Sequence, residues 1–184
     1  MNKIKGLIFD LDGVLVNTKK IHFDALNLAL KKVNAKEISF KDHLNIFDGL
    51  PTNKKLSILN DKKILNKKFN SKVIKIKQEY TLKLLNKFIK FNPKIYNTFL
   101  KLSKNYKISL ATNAVGKTLD LCVKKLRINK FISYSYSNED VSRNKPHPQV
   151  YLKCLVNMAL KPSETLIFED SHHGVMAAQD SGCL

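Results

Sequence analysis

Asp10 and Asp12 stand two residues apart in FDLDGVLVNT, directly after the apolar run Leu7-Ile8-Phe9. Carboxylates at that spacing can divide the labour of phosphoryl transfer. One attacks phosphorus to give an aspartyl-phosphate; the other protonates the leaving oxygen and later activates water. Gly13 permits a sharp turn behind them. Three more reactive groups follow in chain order: Thr112 and Asn113 in ATNA, Lys145 in RNKPHP, and Glu169 and Asp170 in FEDS. Carboxylates gathered with a hydroxyl and an ammonium suit Mg²⁺ plus phosphate. Mg²⁺ prefers oxygen ligands and keeps several waters, and Asp10 and Asp170 are its candidate direct ligands. The cation would offset repulsion between these carboxylates and the phosphate. Thr112 and Asn113 can hydrogen-bond phosphate oxygens, and Lys145 supplies a point charge on phosphate and nucleophile. A lone DxD or a lone Lys is ordinarily solvated surface. Four such groups in order, each after an expected strand, are hard to explain by chance.

These groups need a scaffold. The runs GLIFD at 6–10, KISLAT at 107–112, FISYSY at 131–136 and TLIFE at 165–169 lack polar alternation, as strands buried on both faces of a parallel sheet do. Between the last three lie helical patterns: Leu119, Cys122, Val123 and Leu126, then Val150, Tyr151, Cys154, Leu155 and Met158. Pro93 opens a helix over Ile95, Phe99 and Leu102. The alternation predicts a doubly wound α/β sheet, a Rossmann-like core whose ligands bind at the carboxyl ends of the strands. All four reactive groups fall there. About 95 residues part the first strand from the second, and they read as helices. Ile21, Ala25, Leu28 and Ala29 share a face. Phe69, Val73, Ile76, Tyr80, Leu84 and Phe88 make a longer stripe, read as core packing. The spacing predicts a helical cap over 17–90 inserted into a core of 1–16 and 91–184.

Apolar residues make up 43% of the 184, enough for a sizeable core. The net charge of +18 is almost all Lys, with Arg127 and Arg143 the exceptions, and is spread along the chain. Specific nucleic-acid readers favour the Arg fork. The charge therefore reads as solvated helix faces, with attraction for anionic substrates as a by-product. No segment is long and apolar enough for a signal peptide or a membrane span. Three scattered cysteines, Cys122, Cys154 and Cys183, fit a reducing compartment. The expectation is a soluble cytoplasmic protein with no membrane partner and no specific nucleic-acid partner.

Taken together, FDLDGVLVNT, ATNA, NKPHP and FEDS resemble the four motifs of the haloacid dehalogenase superfamily of phosphohydrolases, over nearly the whole chain. The helical insertion resembles the small cap of the branch that holds phosphoglycolate phosphatase, sugar-phosphate phosphatases and β-phosphoglucomutase. The resemblance implies that Asp10 is the nucleophile and Asp12 the general acid/base. It implies that Asp10, Asp170 and the Asp12 backbone carbonyl bind Mg²⁺, with Glu169 through water, and that Thr112, Asn113 and Lys145 hold phosphate. Dehalogenating members lack the partner two residues on, so dehalogenation is disfavoured. FDGLPTNKKLSIL resembles the substrate loop of the cap, with Gly49, Leu50 and Pro51 in its turn. Lys54 and Lys55 would reach an anionic substrate, solvent-facing lysines being the plain alternative. His22 matches a His often found after the first motif, with a part in proton transfer or at the leaving group.

The partner implied is a small phosphorylated metabolite. Mutases of this branch usually carry an Arg in the cap loop, and none stands here, which favours phosphatase over sugar phosphomutase. Members normally continue into a fifth strand. The chain stops at Leu184, so the sheet is expected to lack an edge strand, open to cover by a second copy; a monomer and a homodimer are both compatible. A third reading is a catalytically weak binding or regulatory protein.

Overall fold

The structure, a computed structural model, describes residues 3–184. Four parallel strands form one sheet: β1 (Gly6–Phe9), β2 (Lys107–Ala111), β3 (Tyr134–Tyr136) and β4 (Thr165–Phe168), in the order β3-β2-β1-β4. The chain steps outward from β1 to β2 to β3, then crosses back to place β4 on the other side of β1. β1 is therefore central, and the reversal of strand order falls beside it, where open α/β sheets bind ligands.

Alternation along β1 explains its unbroken apolar run. Leu7 and Phe9 point to one face, into a cluster with Ile108, Leu110, Phe99, Leu119, Cys122 and Leu126. Ile8 points to the other, against Val150, Tyr151, Cys154, Met158 and Ala177. Both faces are covered, so a polar residue at either parity would be buried without water. The first cover is helix α5 (Pro93–Leu102) and α6 (Gly116–Leu126); the second is α7 (Gln149–Met158) and α8 (His172–Asp180). The start expected for α5 is found. Pro93 sits at its first position, and the Asn92 side chain accepts from the Lys94 and Ile95 amides at 3.0 and 3.3 Å.

Between β1 and α5 lie α1 (Lys19–Lys31), a short turn α2 (Phe40–Asp42) continued by a wider π turn over His43–Phe47, α3 (Thr52–Asp61) and α4 (Asn70–Phe88). They bury a cluster of their own, with Leu26, Leu30, Phe47, Leu56, Leu59 and Val73 at its centre. Ile21, at the start of α1, and Leu85, near the end of α4, pack instead into the sheet cluster. These two helices join the helical layer to the sheet. No helix among the described residues is long and apolar enough to cross a membrane.

Four local expectations are corrected. In FISYSY only Tyr134–Tyr136 is strand; Asn129–Phe131 forms a 3₁₀ turn. The stripe assigned to α4 is displaced. Its buried residues are Val73, Lys77, Thr81 and Leu85, while Phe88 is 58% exposed. On α1, Leu28 is only half-buried, and Leu26 and Leu30 are buried in its place. The outer edge of β4, expected bare, is partly paired. Ile167 N–H donates to Leu184 O at 2.9 Å, and Leu184 N–H to Thr165 O at 3.1 Å.

Candidate active site

Lys145 anchors the site. It is 3% exposed, and its Nζ donates to Asp10 Oδ1 at 2.6 Å, to Ala111 O at 2.8 Å and to Glu169 Oε1. One cation therefore ties the ends of β1, β2 and β4 together. The Tyr151 ring lies 4.8 Å beneath the ammonium, and its hydroxyl donates to Glu169 Oε1 at 2.7 Å. In the sequence Tyr151 is marked only as part of a helical pattern over Val150 to Met158. Its hydroxyl role carries no periodic signal, because α7 buries it as it would a Phe.

Charge in this cluster is out of balance. Burial pushes the Asp10 carboxyl up to about 8; Lys145 opposes that, while Glu169 and Asp12 add to it. Burial also raises Glu169, but Lys145, Tyr151 and the Ser171 amide outweigh it and hold Glu169 below its usual range. Asp10, Glu169 and Asp170 each offer an oxygen within 4.8 Å of one another. An all-oxygen donor set with surplus negative charge fits a hard divalent cation.

Two glycines make room for these carboxylates. Gly13 has φ +95°, and a Cβ there would overlap the Asp170 carboxylate. Gly174, in the first turn of α8, leaves space that the Glu169 carboxylate fills; a Cβ would overlap it too. Glu169 cannot swing away freely. Its Oε2 accepts from the Asp170 and Ser171 amides at 3.1 and 3.2 Å and from Ser171 Oγ at 3.2 Å. Gly174→Ala is therefore expected to push Glu169 off Lys145 and to lower kcat/KM by about 10²-fold. Helix content by circular dichroism should stay unchanged. Wild-type kcat/KM in this variant would show that the Glu169 position is not critical.

Asp12 is half-buried on the cap side of Asp10. Thr18 Oγ1 donates to its Oδ1, and His22 Nε2 stands 3.4 Å from the same oxygen. Burial raises the Asp12 carboxyl, but His22 and Thr18 outweigh it and hold it below the usual carboxylate range. Burial drives His22 the other way, down toward the neutral ring, with Asp12 opposing. Thr18 was missed from sequence, where a Thr before a helix reads as a cap; its side chain caps nothing in α1.

Thr112 is buried at the end of β2, and its Oγ1 accepts from Ala114 N–H at 3.0 Å. The Asn113 side chain is engaged with main chain. Its Oδ1 accepts from Lys145 N–H at 3.2 Å, and its Nδ2 donates to Gly49 O at 2.9 Å and Lys145 O at 3.3 Å. Asn113 thus fixes the Lys145 loop and docks the cap turn. Lys19 Nζ makes a second bridge, to Asp48 at 3.2 Å and Asp170 at 3.1 Å. Gln78 Nε2 donates to Thr118 Oγ1 at 3.2 Å as a third. The helical layer is closed over the strand ends, and the cavity it encloses measures about 70 Å³.

The profile of the haloacid dehalogenase-like hydrolases matches residues 7–184. This chain belongs to that family. Pyrophosphatase PpaX of Bacillus mycoides is 26% identical over 181 residues, covering 98% of this chain and 81% of the relative. A β-phosphoglucomutase structure from Clostridium difficile superimposes with TM-score 0.84 at 23% identity, over 98% of this chain and 82% of that one. The CbbY protein of Rhodobacter sphaeroides, in complex with xylulose 1,5-bisphosphate, superimposes with TM-score 0.86 at 16% identity, over 98% and 84%. The two superpositions show that this chain shares their fold.

The cap of this haloacid dehalogenase-like chain puts only some of the expected residues at the site. Gly49, Leu50, Lys55 and His22 line the cavity beside Asp10, Asp12, Thr112, Asn113, Lys145 and Asp170. Lys54 does not. It is exposed and lines an adjoining outer cleft. One helical step separates the neighbours Lys54 and Lys55, so only one can face inward. Lys77 lines the cavity as well and was missed from sequence. Hydrophobic periodicity assigns Lys to the solvent face, so a Lys on the inner face of α4 leaves no signal.

Proposed function

We propose that the chain is a Mg²⁺-dependent phosphatase that hydrolyses a small phosphomonoester through an aspartyl-phosphate on Asp10. The observation that carries this reading is the 2.6 Å contact of Lys145 Nζ with Asp10 Oδ1 at the end of the central strand, with Asp12 in the same cavity. Asp10, Asp170 and the Asp12 carbonyl would hold Mg²⁺, with Glu169 through water. Once bound, the ion would neutralise charge between carboxylates and phosphate.

Lys145, Thr112 and the Asn113 main chain orient the phosphoryl group. An Asp10 carboxylate oxygen attacks phosphorus, the bond from phosphorus to the leaving oxygen breaks, and Asp12 gives that oxygen a proton. Water then attacks the same phosphorus and passes a proton to Asp12. The bond to Asp10 breaks, and inorganic phosphate leaves. Asp12 is held ionised at rest by His22 and Thr18, which suits it to the second step. The dianionic substrate favours its protonation for the first. Cap opening admits substrate and releases product.

Two relatives add support. PpaX is named for action on pyrophosphate, and CbbY holds a sugar bisphosphate; both are small phosphorylated compounds. The test is phosphate release from a panel of monophosphates with Mg²⁺ and with chelator, together with rapid acid quench and peptide mapping. The expected result is Mg²⁺-dependent release and a phosphoryl adduct on the peptide that contains Asp10. An adduct elsewhere overturns the mechanism. Isomerisation of a hexose phosphate with little phosphate release would assign a mutase instead.

A further inference from the structure

Lys55 and Lys77 are two buried lysines that phosphoryl transfer to Asp10 leaves unused. Lys55 lies in the first turn of α3 at 5% exposure, and Lys77 lies midway along α4 at 6%. Lysines go this deep rarely, and then with a counter-charge. Among the described residues neither ammonium makes a hydrogen bond or an ion pair. Lys145, equally buried, has three acceptors. Both lysines line the cavity that Asp10 and Asp12 share.

Their position within that cavity is informative. Both bear on His22 and Asp12, the pair that faces the leaving oxygen. Lys145 and Thr112 serve the Asp10 side. The transferred phosphoryl group thus has its own cation, and the lysine pair faces what departs. Burial pushes Lys55 down to about 8, although Asp48 and Asp12 favour its charge. Burial pushes Lys77 to about 7, with the charge of Lys55 adding to the fall. Two such groups facing one enclosed space destabilise the protein until an anion joins them.

We infer that Lys55 and Lys77 form an anion subsite for the leaving group, so that the substrate, with Asp10 as phosphoryl acceptor, is a small compound bearing a second phosphate or a carboxylate. A neutral leaving group leaves both lysines desolvated and unpaired, and a site with buried unpaired groups discriminates strongly against such a ligand.

Two measurements test this. In the first, kcat/KM is measured for pyrophosphate, 2-phosphoglycolate and a sugar bisphosphate against p-nitrophenyl phosphate, in wild type, Lys55→Met and Lys77→Met. The readout is the ratio of each anionic substrate to p-nitrophenyl phosphate. At least one ratio should exceed 10 in wild type and fall about 10-fold or more in each variant. Which substrate responds tells phosphate from carboxylate and sets the reach. Turnover of p-nitrophenyl phosphate with ratios that do not change overturns the subsite and leaves the Asp10 reading standing. In the second, thermal unfolding is followed with excess Mg²⁺ and pyrophosphate, 2-phosphoglycolate or methyl phosphate. The doubly anionic probes should raise Tm more than methyl phosphate in wild type, and the difference should vanish in both variants. Without ligand, each Met variant should unfold at the wild-type temperature or above it, because a buried unpaired charge is gone. Equal shifts for all probes, or a large fall in Tm of the free variants, overturns the subsite even when no substrate is turned over.

Discussion

Asp10→Asn should lower phosphate release by about 10⁴-fold or more and leave Tm unchanged or raised. The loss of activity follows from the loss of the attacking carboxylate, since a neutral amide oxygen does not form the acyl phosphate. The stability follows from the charge count around Lys145. In wild type one buried ammonium serves two carboxylates, Asp10 and Glu169, and burial drives Asp10 toward its neutral form. Asn holds that neutral form at every pH. Lys145 keeps Glu169 and Ala111 O, so the buried set becomes one cation with one anion. Phosphate assays beside thermal unfolding check both parts. More than a tenth of wild-type turnover would remove Asp10 from the nucleophile's role. A fall in Tm of several degrees would show that its charge supports the fold.

Lys145→Met should fail in the opposite way, losing both activity and stability. The thioether fills similar space but leaves Asp10 and Glu169 buried side by side without a cation. Breaking a buried ion pair from one side costs about 3–5 kcal/mol, on the order of 10 °C in Tm for a domain of this size. The sign with pH is set by Glu169. Lys145 holds the folded-state pKa of Glu169 below its ordinary value, so the stability this contributes is present above the unfolded pKa of about 4.3 and fades as pH falls through the folded value. The deficit of the variant should therefore be largest at neutral pH and shrink in acid, where both carboxylates are protonated. Turnover should drop about 10³-fold or more, because the phosphate loses its buried cation. A pH-independent deficit would point to packing around Tyr151 as the cause.

The sheet was legible because its signal is local. Four apolar runs, three of them ending in a polar reactive residue, mark strands buried on both faces. The structure pairs all four in parallel, with Asp10, Thr112 and Glu169 each one residue past a strand end. Periodicity located the helices over Leu119–Leu126 and Val150–Met158, and Pro93 opened α5. It failed on α4. The aromatic stripe Phe69 to Phe88 is regular and apolar, but the inner face carries Lys77 and Thr81 between Val73 and Leu85. A helix that turns part of one face toward a polar cavity breaks the assumption that apolar means inward.

The sequence alone determined which reactive side chains stand near the strand ends. Asp10, Asp12, Lys145, Glu169 and Asp170 lie in contiguous motifs whose residue types suit the phosphate and hard cation proposed for this site, and each follows a strand that local patterning locates. Tertiary structure decided what surrounds that chemistry. It set Lys145 between two carboxylates and turned Asn113 onto the cap. It brought Thr18 and His22 to Asp12, turned Lys55 inward and Lys54 outward, and buried Lys77. Apart from Thr18 and His22, which lie 6 and 10 residues from Asp12, each of these depends on how an element meets a segment far away in the chain, and a contact of that kind leaves no trace in the spacing of nearby residues.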